Sequence, residues 1–358
     1  MSFLDDARTR ELWEKVKTGL SGKQPKLTGS AGQVVGFGAD GAAVAVRGWS
    51  NPNLLDNWYF ADPVNQRGQE EYTATGYTID RWRIAQGIKA AVRITDSGLE
   101  IKRTSDTRAI FQQVLTIDDR EFVQSFAGRE VTLSALFGQE LRSVTMTIPT
   151  SNDENWYPAG TSGSKVNSMY VRLSINSNTT TGYFDLNFDI YVSAGGAGGG
   201  LITAVKLELS SQQTLARQDA DGNWVLNDPP PDKVLELLKC QRYYRVLDWG
   251  TSMYALGFPG MVTNVAKDVV FQIPNAVSFR AIPSVSVSSD FKVLLRNHAG
   301  YIGSSAGLVP SSLRISTVPR QVPSISMTAN FDGVDLGDNN VPIYVAISAG
   351  KLIFDANL

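Results

Sequence analysis

The chain contains a single histidine, His298, so a Ser-His-Asp arrangement would have only one possible general base. Gly303-Ser304-Ser305-Ala306-Gly307 matches the G-x-S-x-G pattern of a nucleophile elbow. Such an elbow is a strand-to-helix turn with its histidine later in the chain, whereas His298 precedes Ser305 in a segment that reads as β. Adjacent carboxylates occur at Glu70-Glu71, Asp118-Asp119 and Asp153-Glu154. Neighbours on a strand point to opposite faces, while a glycosidase needs two carboxyls facing one cleft, so these pairs read as solvated turns. Asp332, Asp335 and Asp338 with Asn339-Asn340 offer hard oxygen donors, but their spacing is not that of an EF-hand, and a polar turn is the simpler reading. Gly36, Gly38 and Gly41 complete a G-x-G-x-x-G match, yet a short alternating apolar run follows where a dinucleotide fold needs a helix. The residues therefore predict no catalytic group, no metal site and no cofactor.

What remains is recognition. Flat aromatic rings pack against the C–H faces of sugars, and the chain has seven tryptophans: Trp13, Trp49, Trp58, Trp82, Trp156, Trp224 and Trp249. Trp82 lies in an apolar run and reads as core. Trp156-Tyr157 sits among Asn152, Asp153, Glu154, Asn155 and Pro158, which marks either an exposed platform or a loop aromatic folded onto its own domain. Asn297, His298 and Tyr301 lie between two strand-like runs in a polar, aromatic loop suited to ligand binding. These five residues are the candidate glycan contacts.

Composition narrows the classes further. Lys and Arg total 33 against 35 Asp and Glu, a formal charge of −2, which lacks the basic footprint that nucleic acid or an anionic membrane surface demands. One cysteine, Cys240, cannot form an intrachain disulfide, and with one histidine it cannot build a Cys/His zinc site. Asp5, Asp6, Glu11 and Glu14 break up any apolar signal-peptide core, and no run of about 18 apolar residues occurs, so synthesis and folding in a cytoplasm and no membrane insertion are expected.

The elements that must position the candidate residues are mostly strands. Residues 5–18 with Leu20 space Leu12, Trp13, Val16 and Leu20 as one short amphipathic helix, too short to be stable alone and suited to a homo-oligomeric bundle or to docking on its own domain. Val35 and Phe37, then Asp40-Gly41, then Val44 and Val46 predict a hairpin with a two-residue type I′ turn. Between residues 99 and 209 five runs alternate with period two: Val131–Phe137, Val144–Ile148, Val171–Ile175, Phe184–Val192 and Val205–Leu209. Each reads as a half-buried strand, and together they predict an antiparallel sandwich, with the Gly195–Gly200 stretch as a flexible loop. Pro229-Pro230-Pro231 presets a helix from Asp232 to Tyr244, with Val234, Leu235, Leu238 and Tyr243 assigned inward. Residues 251–358 contain no Glu, and the runs at 284–288, 291–295 and 343–347 predict a second, smaller β-domain. The expected fold class is mostly β, an antiparallel jelly-roll sandwich plus a smaller C-terminal β-domain. The expected organisation is a helix (1–21), a hairpin collar (22–48), a sandwich (49–245) and a tip (246–358).

Several segments, in order, resemble one family. Asn53-Leu54-Leu55-Asp56-Asn57 with Trp58-Tyr59-Phe60, then Tyr77-Thr78-Ile79-Asp80-Arg81-Trp82, is similar to the opening of carbohydrate-binding-module-like domains in tail fibres of tailed bacteriophages and prophages. Residues 129–134 (REVTLS) resemble that family's central strand, 205–208 (VKLE) its last strand, and 238–244 (LKCQRYY) the segment that closes it. Residues 270–274 (VFQIP) and 280–285 (RAIPSV) resemble the start of the distal domain, and 32–37 (GQVVGF) a short pre-domain. The resemblance implies a homotrimeric receptor-binding fibre located in the virion tail and made in the bacterial cytoplasm. Its jelly-roll domains would contact bacterial surface polysaccharide, and its N-terminus would join tail or baseplate proteins. A glycan-degrading spike and a purely structural fibre or adaptor segment are the alternatives.

Overall fold

A computed structural model of the chain describes residues 10–11, 13–16, 18, 33–37, 43–47, 50–105, 108–115, 128–147, 157–164, 169–178, 183–192, 199–219, 221–248, 257–263, 268–297, 300–303, 307–317, 324–332, 334–336 and 342–356. The protein is mostly β, with several antiparallel sheets. It divides into two compact units, one of residues 1–52 with 214–229 and one of residues 53–213 with 230–358.

In the first unit, residues 10–11, 13–16 and 18 are helical, and Glu11 and Lys15 form an exposed i,i+4 pair at 2.7 Å. Trp13 and Val16 are exposed on this helix. The expected hairpin forms between Gln33–Phe37 and Ala43–Arg47, and its turn at Asp40-Gly41 lies outside the described residues. Phe37 pairs with Ala43 at the end of the ladder nearest the turn. A second hairpin joins Ala216–Gln218 to Trp224–Leu226, its turn held by Asp219, whose carboxylate accepts from the amides of Asp221 and Asn223.

In the second unit, one six-stranded antiparallel sheet runs in the order Tyr157–Ser164, Met169–Asn178, Tyr183–Val192, Ala109–Leu115, Arg83–Ile84, Gly76–Tyr77. Two further sheets contain Gly199–Ile202 and Ala204–Glu208, which continue one another through Thr203. The first of these pairs with Gly98–Arg103 and the second with Glu130–Phe137. Gly199 and Gly98 make the join possible: both have positive φ, and a Cβ on either would overlap a backbone carbonyl of the partner strand. Trp82 is fully buried, as its context predicts, stacked on Phe111 at 5.2 Å and edge-on to Phe60 at 5.1 Å.

Two expectations need correction here. Residues 131–137 and 204–208 are buried on both faces, not one, and the second face includes Thr132, Ser134, Lys206 and Glu208. The chain beyond Glu208 folds back over that polar face, where Thr132 Oγ1 donates to Ser210 O at 2.6 Å. The helix Lys233–Cys240 is capped by Asp232 as expected, but Val234, Leu235 and Leu238 are exposed, whereas Glu236 and Cys240 are buried. These two are four apart and share a face, and it is that face that docks, because the Asn57 amide donates to the Glu236 carboxylate.

Beyond the helix, Tyr244–Asp248 pairs with Lys351–Asp355, which pairs in turn with Ser284–Val287. A seven-stranded antiparallel sheet completes this part. Its order is Gly300–Ile302, Lys292–Asn297, Pro342–Ala349, Gly257–Thr263, Asp268–Pro274, Ser324–Asn330, Ser312–Thr317. Its inner face supplies Val293, Phe271, Met327 and Val345 to a core shared with Phe354, Leu352 and Val285 of the three-stranded sheet. On the opposite face Met261, Tyr301 and Tyr344 are exposed.

Candidate functional site

Of the five sequence candidates, Trp156 and His298 lie outside the described residues. Tyr157 opens a sandwich strand opposite Ile175, and Asn297 pairs with Gly300; only their backbones are described. Tyr301 is 55% exposed, on the hairpin that also carries Asn297. The structure thus brings Asn297 and Tyr301 together and puts Tyr157 in a different sheet.

Strand alternation builds a site around Tyr301. Along Pro342–Ala349, Ile343, Val345 and Ile347 are buried in the core, so Tyr344 points the other way and is 66% exposed. The register aligns residues from neighbouring strands into one transverse row: Tyr301 opposite Arg296, Arg296 opposite Tyr344, and Tyr344 opposite Pro259. The Arg296 guanidinium lies 5.5 Å from the Tyr301 ring centre. Beside this row, Pro342 pairs with Met261, which is also exposed. Two tyrosines flanking an arginine therefore stand on a rigid sheet, and Tyr301 and Tyr344 are separated by two inter-strand steps, about 10 Å.

A second concave feature, about 390 Å³ in volume, is lined by Arg67, Glu71, Tyr72, Tyr77, Tyr244 and Lys351 among others. Its Tyr244 ring is already covered. The Arg67 guanidinium lies 3.6 Å from the Tyr244 ring centre and 5.5 Å from that of Tyr77. The Tyr72 hydroxyl is bound by Asn65, and Lys351 pairs with Asp248 at 3.1 Å. Burial pushes the Tyr72 and Tyr244 hydroxyls above the usual tyrosine range, as it does the Asp80 carboxyl nearby, which accepts from the backbone and side-chain amides of Gln66. This cleft is internally satisfied, whereas the row on the sheet presents its rings outward.

Arg296 and Tyr344 were absent from the sequence candidates. Tyr344 was accessible as the polar-phase residue of the 343–347 run, but its value depends on which strands are neighbours, and that is a tertiary fact. Compared with known protein families, curated proteins and solved structures, the chain gives no match.

Proposed function

We propose that the protein is a non-enzymatic receptor-binding component of a phage or phage-like tail, which attaches to bacterial surface glycans through its C-terminal β-domain. The observation that carries this reading is the pair of exposed tyrosines, Tyr301 and Tyr344, held on the outer face of a packed sheet. Sugar C–H faces stack on such rings, and a sheet holds them in place at little entropic cost. The sandwich, read as a jelly roll, serves as the carrier. Exposure of Trp13 and Val16 on the N-terminal helix supports assembly into a homotrimer through that helix, whose end would join the tail. Weak sites, on the order of 0.1–1 mM each, would then gain roughly 10² or more when three engage one surface.

The test is adsorption of the purified protein to bacterial cells and to their extracted capsule and lipopolysaccharide, with reducing ends measured in parallel. Saturable binding without new reducing ends is expected. Release of reducing ends would make the protein a glycan-degrading spike, and failure to bind any glycan would leave a structural segment.

A further inference from the structure

We infer that the row Tyr301–Arg296–Tyr344 is a track for a linear polysaccharide that carries carboxylate groups, lying across the strands with a sugar ring on each tyrosine and the carboxylate of the intervening sugar on Arg296. This rests on the glycan-binding reading above and names the class of glycan. Spacing is the first argument. Two inter-strand steps, about 10 Å, match the distance from one ring to the next but one in an extended polysaccharide. The register fixes this spacing through direct pairs, with no loop involved.

Charge is the second argument. The seven strands of this sheet carry Lys292, Arg296 and Arg314 but only one carboxylate, Asp268. Asp268 is 7% exposed and is engaged by Arg314 at 3.1 Å and by the Asn330 side-chain amide at 2.7 Å. Among the described residues Arg296 has no carboxylate partner, and its guanidinium lies by the Tyr301 ring. An exposed guanidinium in register between two tyrosines, on a sheet whose strands bear no exposed carboxylate, complements a planar carboxylate lying in the same layer as the stacked sugars. A neutral chain would leave this cation unused.

The experiment places acidic bacterial capsule and O-chain polysaccharides on one array with the same polymers after chemical reduction of their carboxyl groups. The full-length protein, Arg296→Gln, Tyr301→Ala and Tyr344→Ala are compared, and thermal melting verifies that each variant is folded. The unaltered protein should bind acidic polymers about five- to tenfold better than the reduced ones, with the preference shrinking as salt rises. Arg296→Gln should remove the preference while keeping residual binding, and each tyrosine variant should weaken binding to both forms. The inference is overturned if bound polymers bind equally well after reduction, or if Arg296→Gln keeps the preference. It is also overturned if Tyr344→Ala leaves binding intact and instead lowers the mass of the assembly in solution, which would make the face an interface between copies. Glycan binding that survives all three substitutions overturns the track and leaves the proposed function standing. Absence of binding to every polymer overturns both.

Discussion

The backbone amide of Asn57 donates a hydrogen bond to the carboxylate of Glu236, and both residues are buried. Asn57 itself has a positive φ of 54° and uses its side chain to tie Val64 and Asp80 together, so this one carboxylate anchors the helix to a loop held by its own hydrogen bonds. The ranking of helix residues is thereby inverted relative to an ordinary amphipathic helix. Glu236→Ala, which strands a buried N–H, should cost about 1–3 kcal/mol, and Glu236→Gln, which keeps an acceptor, should cost less. Leu235→Lys, at a 60% exposed position, should stay within about 0.5 kcal/mol. Urea unfolding midpoints of the three variants give the order directly.

Asp80 should give stability a pH dependence of unusual sign for a carboxylate. Burial raises its pKa above the ordinary 3.8, outweighing the Gln66 hydrogen bonds and the Arg67 charge that lower it. The folded state therefore holds this proton more tightly than the unfolded one. The contribution is fully present below the unfolded value and is lost as pH rises through the elevated folded value. Asp80→Asn should flatten that part of the curve, as measured by unfolding midpoints taken from the ordinary aspartate range up to neutral pH. An unchanged slope would show that Asp80 is not its source.

Cys240 is fully buried, and burial together with the negative charges of Asp80, Asp56 and Glu236 drives its thiol pKa far up. A thiol reagent such as Ellman's should leave the native protein unlabelled and react with one thiol per chain after denaturation. Prompt labelling under native conditions would place Cys240 in a region that opens easily.

Gly199 should tolerate no side chain. At φ 146° its added Cβ would overlap Ile101 O, so Gly199→Ala forces apart the ladder with Gly98–Arg103 at about 1–3 kcal/mol. Gly138 also has a positive φ, 60°, but nothing lies within 4 Å of its added Cβ, so Gly138→Asn should melt close to the parent. Thermal melts of the two variants separate crowding from conformation.

If the N-terminal helix holds a trimer together, removing residues 1–21 should lower the solution mass to that of a monomer at micromolar concentration while the melting of the β-domains changes little. Trimers that survive the deletion would place the interface in the sheets.

Period-two alternation made most of the strands legible, as with Tyr183–Val192 and Pro342–Ala349, because a residue's face is a local property once a strand forms. The helix faces were not legible. Hydrophobic spacing assigned Val234, Leu235 and Leu238 inward, whereas the docking face was chosen by a hydrogen-bond donor at Asn57, remote in sequence. The hidden polar face at Thr132, Ser134, Lys206 and Glu208 escaped for a related reason: alternation marks which residues are polar, not whether a later segment covers them. Tyr301 could be picked out by its loop, but Arg296 and Tyr344 gained meaning only when strand order put them beside it.

The pairing of Tyr244–Asp248 with Lys351–Asp355 also sets a timetable. A ribosome releases the earlier strand well before the later one exists, so its edge and the apolar side chain of Leu247 must wait without their partners while the seven-stranded sheet is made. Closure of this part of the protein is therefore a late, long-range event, slow by its topology and exposed to mispairing between nascent chains. Where several copies are made side by side, a chaperone that shields the waiting edge would raise the yield of correctly closed protein.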